Sequence, residues 1–147
     1  MRVNYLATSK KKMSESRATE ENFGLAEIKK VLDPQLALDR MGGDGEILVS
    51  LLDLFATELP SIMSSIRVAA ASHDGPALNR AAHRLKGSVS VFGAEAAAGA
   101  ALRLETMARE GTMGDIRGAQ AELEKEIARL EPALVQFRTQ LLSSGFS

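Results

Sequence analysis

Residues 78–92, LNRAAHRLKGSVSVF, carry the pattern that decides the fold. Apolar side chains recur every three or four residues, at Leu78, Ala82, Leu85, Val89 and Phe92. With an advance of about 100° per residue, these positions all fall within roughly 40° of one line along a helix. The stretch therefore predicts an amphipathic α-helix that buries this stripe against other helices.

Similar stripes predict three further long helices around this one. Before it, residues 48–66 place Leu48, Leu52, Phe55, Leu59, Ile62 and Ile66 on one face. After it come an alanine-rich helix over 94–110, with Glu105 along it, and a last helix from Ile116 to beyond Phe137. We expect Pro60 to kink the first of these helices and Pro132 to kink or split the last.

Capping and turn residues separate the predicted helices. Aspartates suited to N-caps are Asp33, Asp44, Asp74 and Asp115, and glycines suited to helix ends are Gly42, Gly43, Gly93 and Gly111. Four long helices with short connections predict an all-α fold, an antiparallel up-down-up-down four-helix bundle. A short additional N-terminal helical segment, over 23–42, is expected to cap one end.

The polar, aperiodic residues 1–22 predict a disordered tail, the bundle should span 23–142, and 143–147 should fray. A formal net charge of −1 gives no basic surface for nucleic acid. The chain has no cysteine and only 2 histidines, so disulfides are excluded and no metal site is expected. We expect no membrane segment and a cytoplasmic location.

His83 is the candidate reactive residue. Its helical phase lies about 140° from the buried stripe, so its imidazole should face solvent. Lys86 and Gly87 are its neighbours one turn on, at i+3 and i+4. A neutral imidazole is a nucleophile, a lysine can offset the charge of an incoming phosphoryl group, and a glycine leaves the imidazole uncrowded. Helical phase alone leaves open that His83 is an ordinary surface residue; His73, in a turn, has no such neighbours.

The segment Ala82-His83-Arg84-Leu85-Lys86-Gly87-Ser88 resembles the A-H-x-L-K-G-S signature of histidine phosphotransfer (HPt) domains. The resemblance extends over about residues 28 to 135. Its flanking matches are Asp33, Leu36, Arg40, Gly42-Gly43-Asp44, Leu51-Leu52, Phe55, Pro60, Leu78, Gly93-Ala94, Leu104-Glu105, Ala108-Arg109 and Gly111.

The resemblance implies that His83 accepts a phosphoryl group from a receiver-domain phospho-aspartate and passes it to another receiver. It implies that Lys86 neutralises phosphoryl charge and that Gly87 gives steric access. We expect response-regulator receivers or a hybrid histidine kinase as partners. Partner contacts are expected at Asn79, Arg80, Arg84 and Ser90.

The absence of a Gly-rich nucleotide loop or P-loop predicts a carrier and not an enzyme, with no cofactor of its own. The partner receiver and its Mg²⁺ would supply the transfer chemistry, and we expect a monomer. Two alternatives stay open: a non-catalytic helical module that only binds a receiver, and a phosphotransfer domain cut from a hybrid or chemotaxis-type kinase. The intact His83, Lys86 and Gly87 argue against lost activity.

Overall fold

A computed structural model describes residues 24–144, and every regular element in that range is an α-helix. The helices are α1 (24–31), α2 (Pro34–Arg40), α3 (Gly45–Ala71), α4 (Gly75–Ser90), α5 (Glu95–Glu110) and α6 (Ile116–Ser143). The predicted all-α class is confirmed. The predicted tail over 1–22 and the final residues 145–147 lie outside the described residues.

The four long helices, α3 to α6, form a closed ring around one core. Each contacts the next along the chain, and α6 returns to pack on α3. Ion pairs of Arg67 with Glu124 and of Arg138 with Asp53 show that α3 and α6 run antiparallel. This arrangement fits the predicted up-down-up-down order.

The apolar stripes predicted from the sequence form the hydrophobic core of the bundle. The residues of α4 that are buried are Leu78, Ala82, Leu85 and Val89, and Phe92 is buried just after its end. Both α3 and α6 continue through their prolines, so Pro132 does not split the last helix. Helix α6 also extends to Ser143, one residue beyond the predicted boundary of the bundle.

Three of the four predicted aspartate caps are confirmed. The side chains of Asp33, Asp44 and Asp74 accept hydrogen bonds from backbone N–H groups in the first turns of α2, α3 and α4. The prediction for Asp115 is wrong in part, because it occupies the N-cap position of α6 but makes no capping hydrogen bond. Its carboxylate instead accepts from Arg103 on α5, 2.8 Å away.

The turn between α4 and α5, at Phe92 and Gly93, lies close to Asp33 at the start of the short helix α2. The backbone N–H of Asp33 donates to the carbonyl of Phe92 at 2.9 Å, and the Phe92 ring packs on Phe55 of α3. Gly93 has φ +67°, and a Cβ built there would lie 2.6 Å from the Cβ of Asp33. Gly93 therefore marks the predicted helix end and also lies so close to Asp33 that a side chain at position 93 would not fit.

Helix α3 is the one helix within residues 24–144 that is long and apolar enough to cross a membrane by length and composition. The core helix of a soluble protein passes the same test. Leu48, Phe55, Ile62 and Ile66 of α3 are buried in the bundle. This burial accounts for part of the apolar composition of α3.

Replacing Gly93 with alanine should destabilise the bundle by about 1–3 kcal/mol, through the strained φ and the contact with Asp33. Gly99 offers a matched control, because it lies inside α5 and a Cβ there meets nothing within 4 Å. Gly99→Ala should leave stability unchanged or raise it by up to about 1 kcal/mol. Urea unfolding followed by circular dichroism measures both; equal stabilities of the two variants would contradict this account.

Candidate functional site

His83 projects from the outer face of α4. Its side chain is 68% exposed, whereas Leu78, Ala82 and Leu85 on the opposite face are fully buried. The sequence-based expectation that this histidine faces solvent is therefore confirmed.

A buried carboxylate on α5, Glu105, holds His83 and Lys86 together. Its Oε2 lies 2.7 Å from Nδ1 of His83, and its Oε1 lies 2.8 Å from Nζ of Lys86. The Glu105 side chain is only 8% exposed, against 30% for Lys86. The three side chains form one charged cluster across the junction of α4 and α5.

The cluster keeps Glu105 ionised despite its burial. The Lys86 ammonium lowers the pKa of Glu105 below its ordinary value of 4.5; desolvation opposes that shift, and the hydrogen bond with His83 adds to it. A buried charge is tolerated where partners of opposite charge or hydrogen-bond donors compensate for lost water. Glu105 has both kinds of partner.

The contact with Glu105 also decides which nitrogen of His83 carries the proton. An ionised carboxylate only accepts hydrogen bonds, so Nδ1 of His83 must be the donor. In a neutral imidazole with the proton on Nδ1, the lone pair lies on Nε2. The ring nitrogen left with a free lone pair is thus Nε2, on the part of the ring turned away from Glu105.

Glu105 was not among the residues predicted for the site. The sequence pattern puts Glu105 on the alanine-rich helix and within the family resemblance, and it indicates no role for this residue. A signal existed, because Glu105 follows the buried Ala101 by four residues and precedes the buried Ala108 by three. A carboxylate at a buried helical phase requires a cationic or donor partner, and α4 supplied candidates.

Gly87 is exposed on α4, and a Cβ built there meets nothing within 4 Å. No packing contact within the described residues 24–144 therefore requires a glycine at this position. The open space beside His83 is the feature that a side chain at position 87 would fill.

The four residues predicted to contact a partner occupy different environments. Asn79 donates from Nδ2 to the backbone carbonyl of Glu105 at 3.1 Å, so it joins α4 to α5 beneath His83. Arg84 is half-exposed and lies 3.5 Å from Glu58 of α3, while Arg80 is exposed one turn before His83. Ser90 is partly buried at the end of α4, where its carbonyl accepts from Arg40 of α2.

Within residues 24–144, no cluster of three or more histidines, aspartates or glutamates is arranged to hold a metal ion. His73 has φ +54° in the turn before α4 and is outside the cluster of His83, Lys86 and Glu105.

A family model described as the Hpt domain matches residues 50–133, which include the whole cluster. The chain belongs to the Hpt domain family. This Hpt chain is also similar to the crystal structure of histidine-containing phosphotransfer protein B (HptB) from Pseudomonas aeruginosa PAO1. The TM-score is 0.68 at 28% identity, over 74% of this chain and 95% of that one. No match was found among curated proteins.

The family match confirms the predicted resemblance and its general function. The chain is a histidine phosphotransfer protein of phosphorelays, a carrier of phosphoryl groups and not a classical enzyme. Hpt domains act with receiver domains and kinases, and neither match favours a module that has lost transfer.

Glu105→Gln should weaken the dependence of the free energy of unfolding on pH in the acid range. Because the pKa of Glu105 is lowered on folding, its ion pairs stabilise the fold above the ordinary pKa of 4.5, and this contribution is lost as pH falls through the lower folded-state pKa. The stability difference between wild type and Glu105→Gln should therefore be largest at neutral pH and shrink in acid. Urea unfolding over a pH series measures it; a difference independent of pH would be the contrary result.

Proposed function

We propose that His83 is the phosphorylated residue and that the phosphoryl group is carried on Nε2. The observation that supports this most strongly is the 2.7 Å contact between Nδ1 and the buried Glu105. That contact occupies one ring nitrogen and leaves the other exposed with its lone pair.

The transfer step needs no proton to leave the imidazole. The Nε2 lone pair attacks the phosphorus of an aspartyl phosphate on a receiver; the N–P bond forms as the P–O bond to the aspartate breaks. The aspartate departs as a carboxylate. The imidazole, which keeps its proton on Nδ1, becomes a phosphoimidazolium, and its positive charge lies against Glu105. Reversal of the same step onto a second receiver restores the neutral ring.

Glu105 therefore acts twice in this proposal. Before transfer it fixes the tautomer and the orientation of the ring, as a hydrogen-bonded carboxylate does for other catalytic imidazoles. After transfer it stabilises the proton and the positive charge on the phosphorylated ring. A charge-assisted hydrogen bond of this kind is roughly twice as strong as one between neutral groups.

Lys86 and Gly87 serve the phosphoryl group directly. The Lys86 ammonium lies beside the cluster on a flexible side chain and can turn from Glu105 toward an oxygen of the phosphoryl group as a compact positive charge. Gly87, one turn beyond His83 on the outer face of α4, leaves the space that the group and its donor occupy.

The remaining groups that the transfer reaction needs belong to the partner receiver. We propose that the receiver positions the phosphoryl group with its own Mg²⁺, and that the chain binds neither ATP nor nucleic acid. We also propose that the protein acts as a monomer, because its long helices bury their apolar stripes within one chain. We propose a cytoplasmic location for it as well.

The direct test is transfer of labelled phosphoryl groups from a phosphorylated receiver in the presence of Mg²⁺. Wild type should acquire acid-labile, base-stable label, and His83→Gln should acquire none while keeping its helical content. His73→Gln is the matched control and should be labelled like wild type. Label on His83→Gln, or none on wild type from any receiver of the same genome, would refute the assignment.

Gly87→Ala should slow phosphoryl transfer without destabilising the fold. A methyl group here meets no atom of the fold and should raise stability by up to about 1 kcal/mol, as an alanine does inside a helix. It should nevertheless slow transfer by tenfold or more, because the methyl group occupies space needed by the phosphoryl group; about tenfold corresponds to 1.4 kcal/mol of activation free energy. The Gly99→Ala control should have unchanged stability or gain up to about 1 kcal/mol, and it should transfer at the wild-type rate. Equal rates for both alanine variants would show that Gly87 has no role in access.

A further inference from the structure

Asn79 is the residue of α4 whose side chain reaches the main chain of α5. It lies one turn before His83, at i−4, and it is half-buried. Its Nδ2 donates to the backbone carbonyl of Glu105 at 3.1 Å. A carbonyl oxygen only accepts hydrogen bonds, so the NH2 group of the amide must face α5. Asparagine is a poorer helix former than alanine, so its presence inside α4 needs a reason outside α4 itself.

Helix α5 does not need this hydrogen bond to complete its own main-chain pattern. The carbonyl of Glu105 lies inside α5, where regular helix geometry gives it the N–H of Arg109 as a partner. The hydrogen bond from Asn79 is a second one to the same oxygen, which has two lone pairs. Its effect is therefore to fix the position of Glu105 relative to α4.

The polar contacts between α4 and α5 in residues 24–144 all involve Glu105. On α4 they come from Asn79, His83 and Lys86, at i, i+4 and i+7. His83 and Lys86 contact the carboxylate, whereas Asn79 contacts the main chain. In the transfer step proposed above, Lys86 turns toward the phosphoryl group and leaves the carboxylate. The contact from Asn79 is unaffected by that movement, so it can hold Glu105 in place before and after transfer.

The apolar packing of α5 restrains sliding along α4 only weakly. Four of the six buried residues of α5 are alanines: Ala97, Ala100, Ala101 and Ala108. Alanine side chains form low ridges, which permit close approach but interdigitate little with a neighbouring helix. The 2.7 Å contact between Nδ1 of His83 and Glu105 depends on distance and direction, as hydrogen bonds do. A directional contact one turn from His83 therefore helps to keep that distance short.

We propose that Asn79 is a positioning residue for phosphoryl transfer. Its hydrogen bond to the main chain of Glu105 holds the carboxylate at Nδ1 of His83, and in this way keeps the free lone pair on Nε2. The sequence predicts a partner contact at Asn79; in the folded protein its amide is instead turned toward α5. The inference rests on the proposed role of His83.

Two substitutions that remove the donor test this role. Asn79→Leu keeps a side chain of similar size, and Asn79→Ala removes the donor without adding bulk, should leucine disturb the packing. Gln120→Leu is the matched control, because Gln120 is half-buried on α6 and donates to Glu124 of the same helix. Circular dichroism first establishes that each variant keeps its helical content.

Three measurements follow for each variant. The first is transfer from the receiver that labels wild type fastest, as rate against receiver concentration. The second is labelling by phosphoramidate, a small donor that needs no docking surface. The third is the tautomer of neutral His83, from ¹H–¹⁵N NMR of protein labelled at histidine.

Both Asn79 variants should lower the maximal transfer rate about three- to tenfold, the range expected for one lost hydrogen bond, while the receiver KM stays within about twofold of wild type. Labelling by phosphoramidate should fall by the same factor. The fraction of neutral His83 with its proton on Nδ1 should fall as well, which a general loss of stability would not cause in the folded protein. Gln120→Leu should match wild type in all three measurements.

A raised receiver KM with wild-type phosphoramidate labelling would overturn the proposal and make Asn79 a contact for the partner. Wild-type rates and a wild-type tautomer in both Asn79 variants would overturn it too. Either result leaves the role of His83 intact. Failure of wild type to be labelled at His83 by either donor would instead overturn that role, and the positioning role of Asn79 with it.

Discussion

The buried carboxylate of Glu105 is the interaction on which the rest of the site depends. It lies beneath an exposed histidine and beside a half-buried lysine, and it joins the two helices that carry them. A carboxylate in this position needs compensating groups on α4, and His83 supplies a hydrogen bond while Lys86 supplies an ion pair. Their orientation is therefore a condition of a stable helix junction and not an accident of surface side chains.

The packing of α5 on α4 makes this junction possible. The buried face of α5 consists mostly of alanines, and small side chains allow helix axes to approach closely. Close approach brings the carboxylate of Glu105 within 3 Å of the charged or polar nitrogens of both His83 and Lys86. Asn79 ties the backbone of Glu105 to α4 as well, so the register of the two helices is fixed at the level of His83. The aliphatic core thus supplies the rigidity that a reactive imidazole requires.

Much of this could be predicted from the sequence. The stripe from Leu78 to Phe92 determined both the helix and the exposure of His83. The four aspartates marked all four helix starts correctly, although only three of them accept capping hydrogen bonds. Asp115 failed as a cap because Arg103, twelve residues away in sequence, competes for its carboxylate. Glu105 was missed for a similar reason: its contacts depend on the register between α4 and α5, which the periodicity of a single helix does not contain.

The central claim is that the contact with Glu105 makes Nε2 of His83 the phosphorylated nitrogen. Long-range ¹H–¹⁵N NMR of protein labelled with ¹⁵N at histidine reports the protonation and substitution of each ring nitrogen directly. In the neutral imidazole of His83 before phosphorylation, we expect the proton on Nδ1. After phosphorylation, we expect phosphorus coupling at Nε2 and a retained proton on Nδ1. A free protein with the proton on Nε2, or a phosphoryl group on Nδ1, would contradict the account.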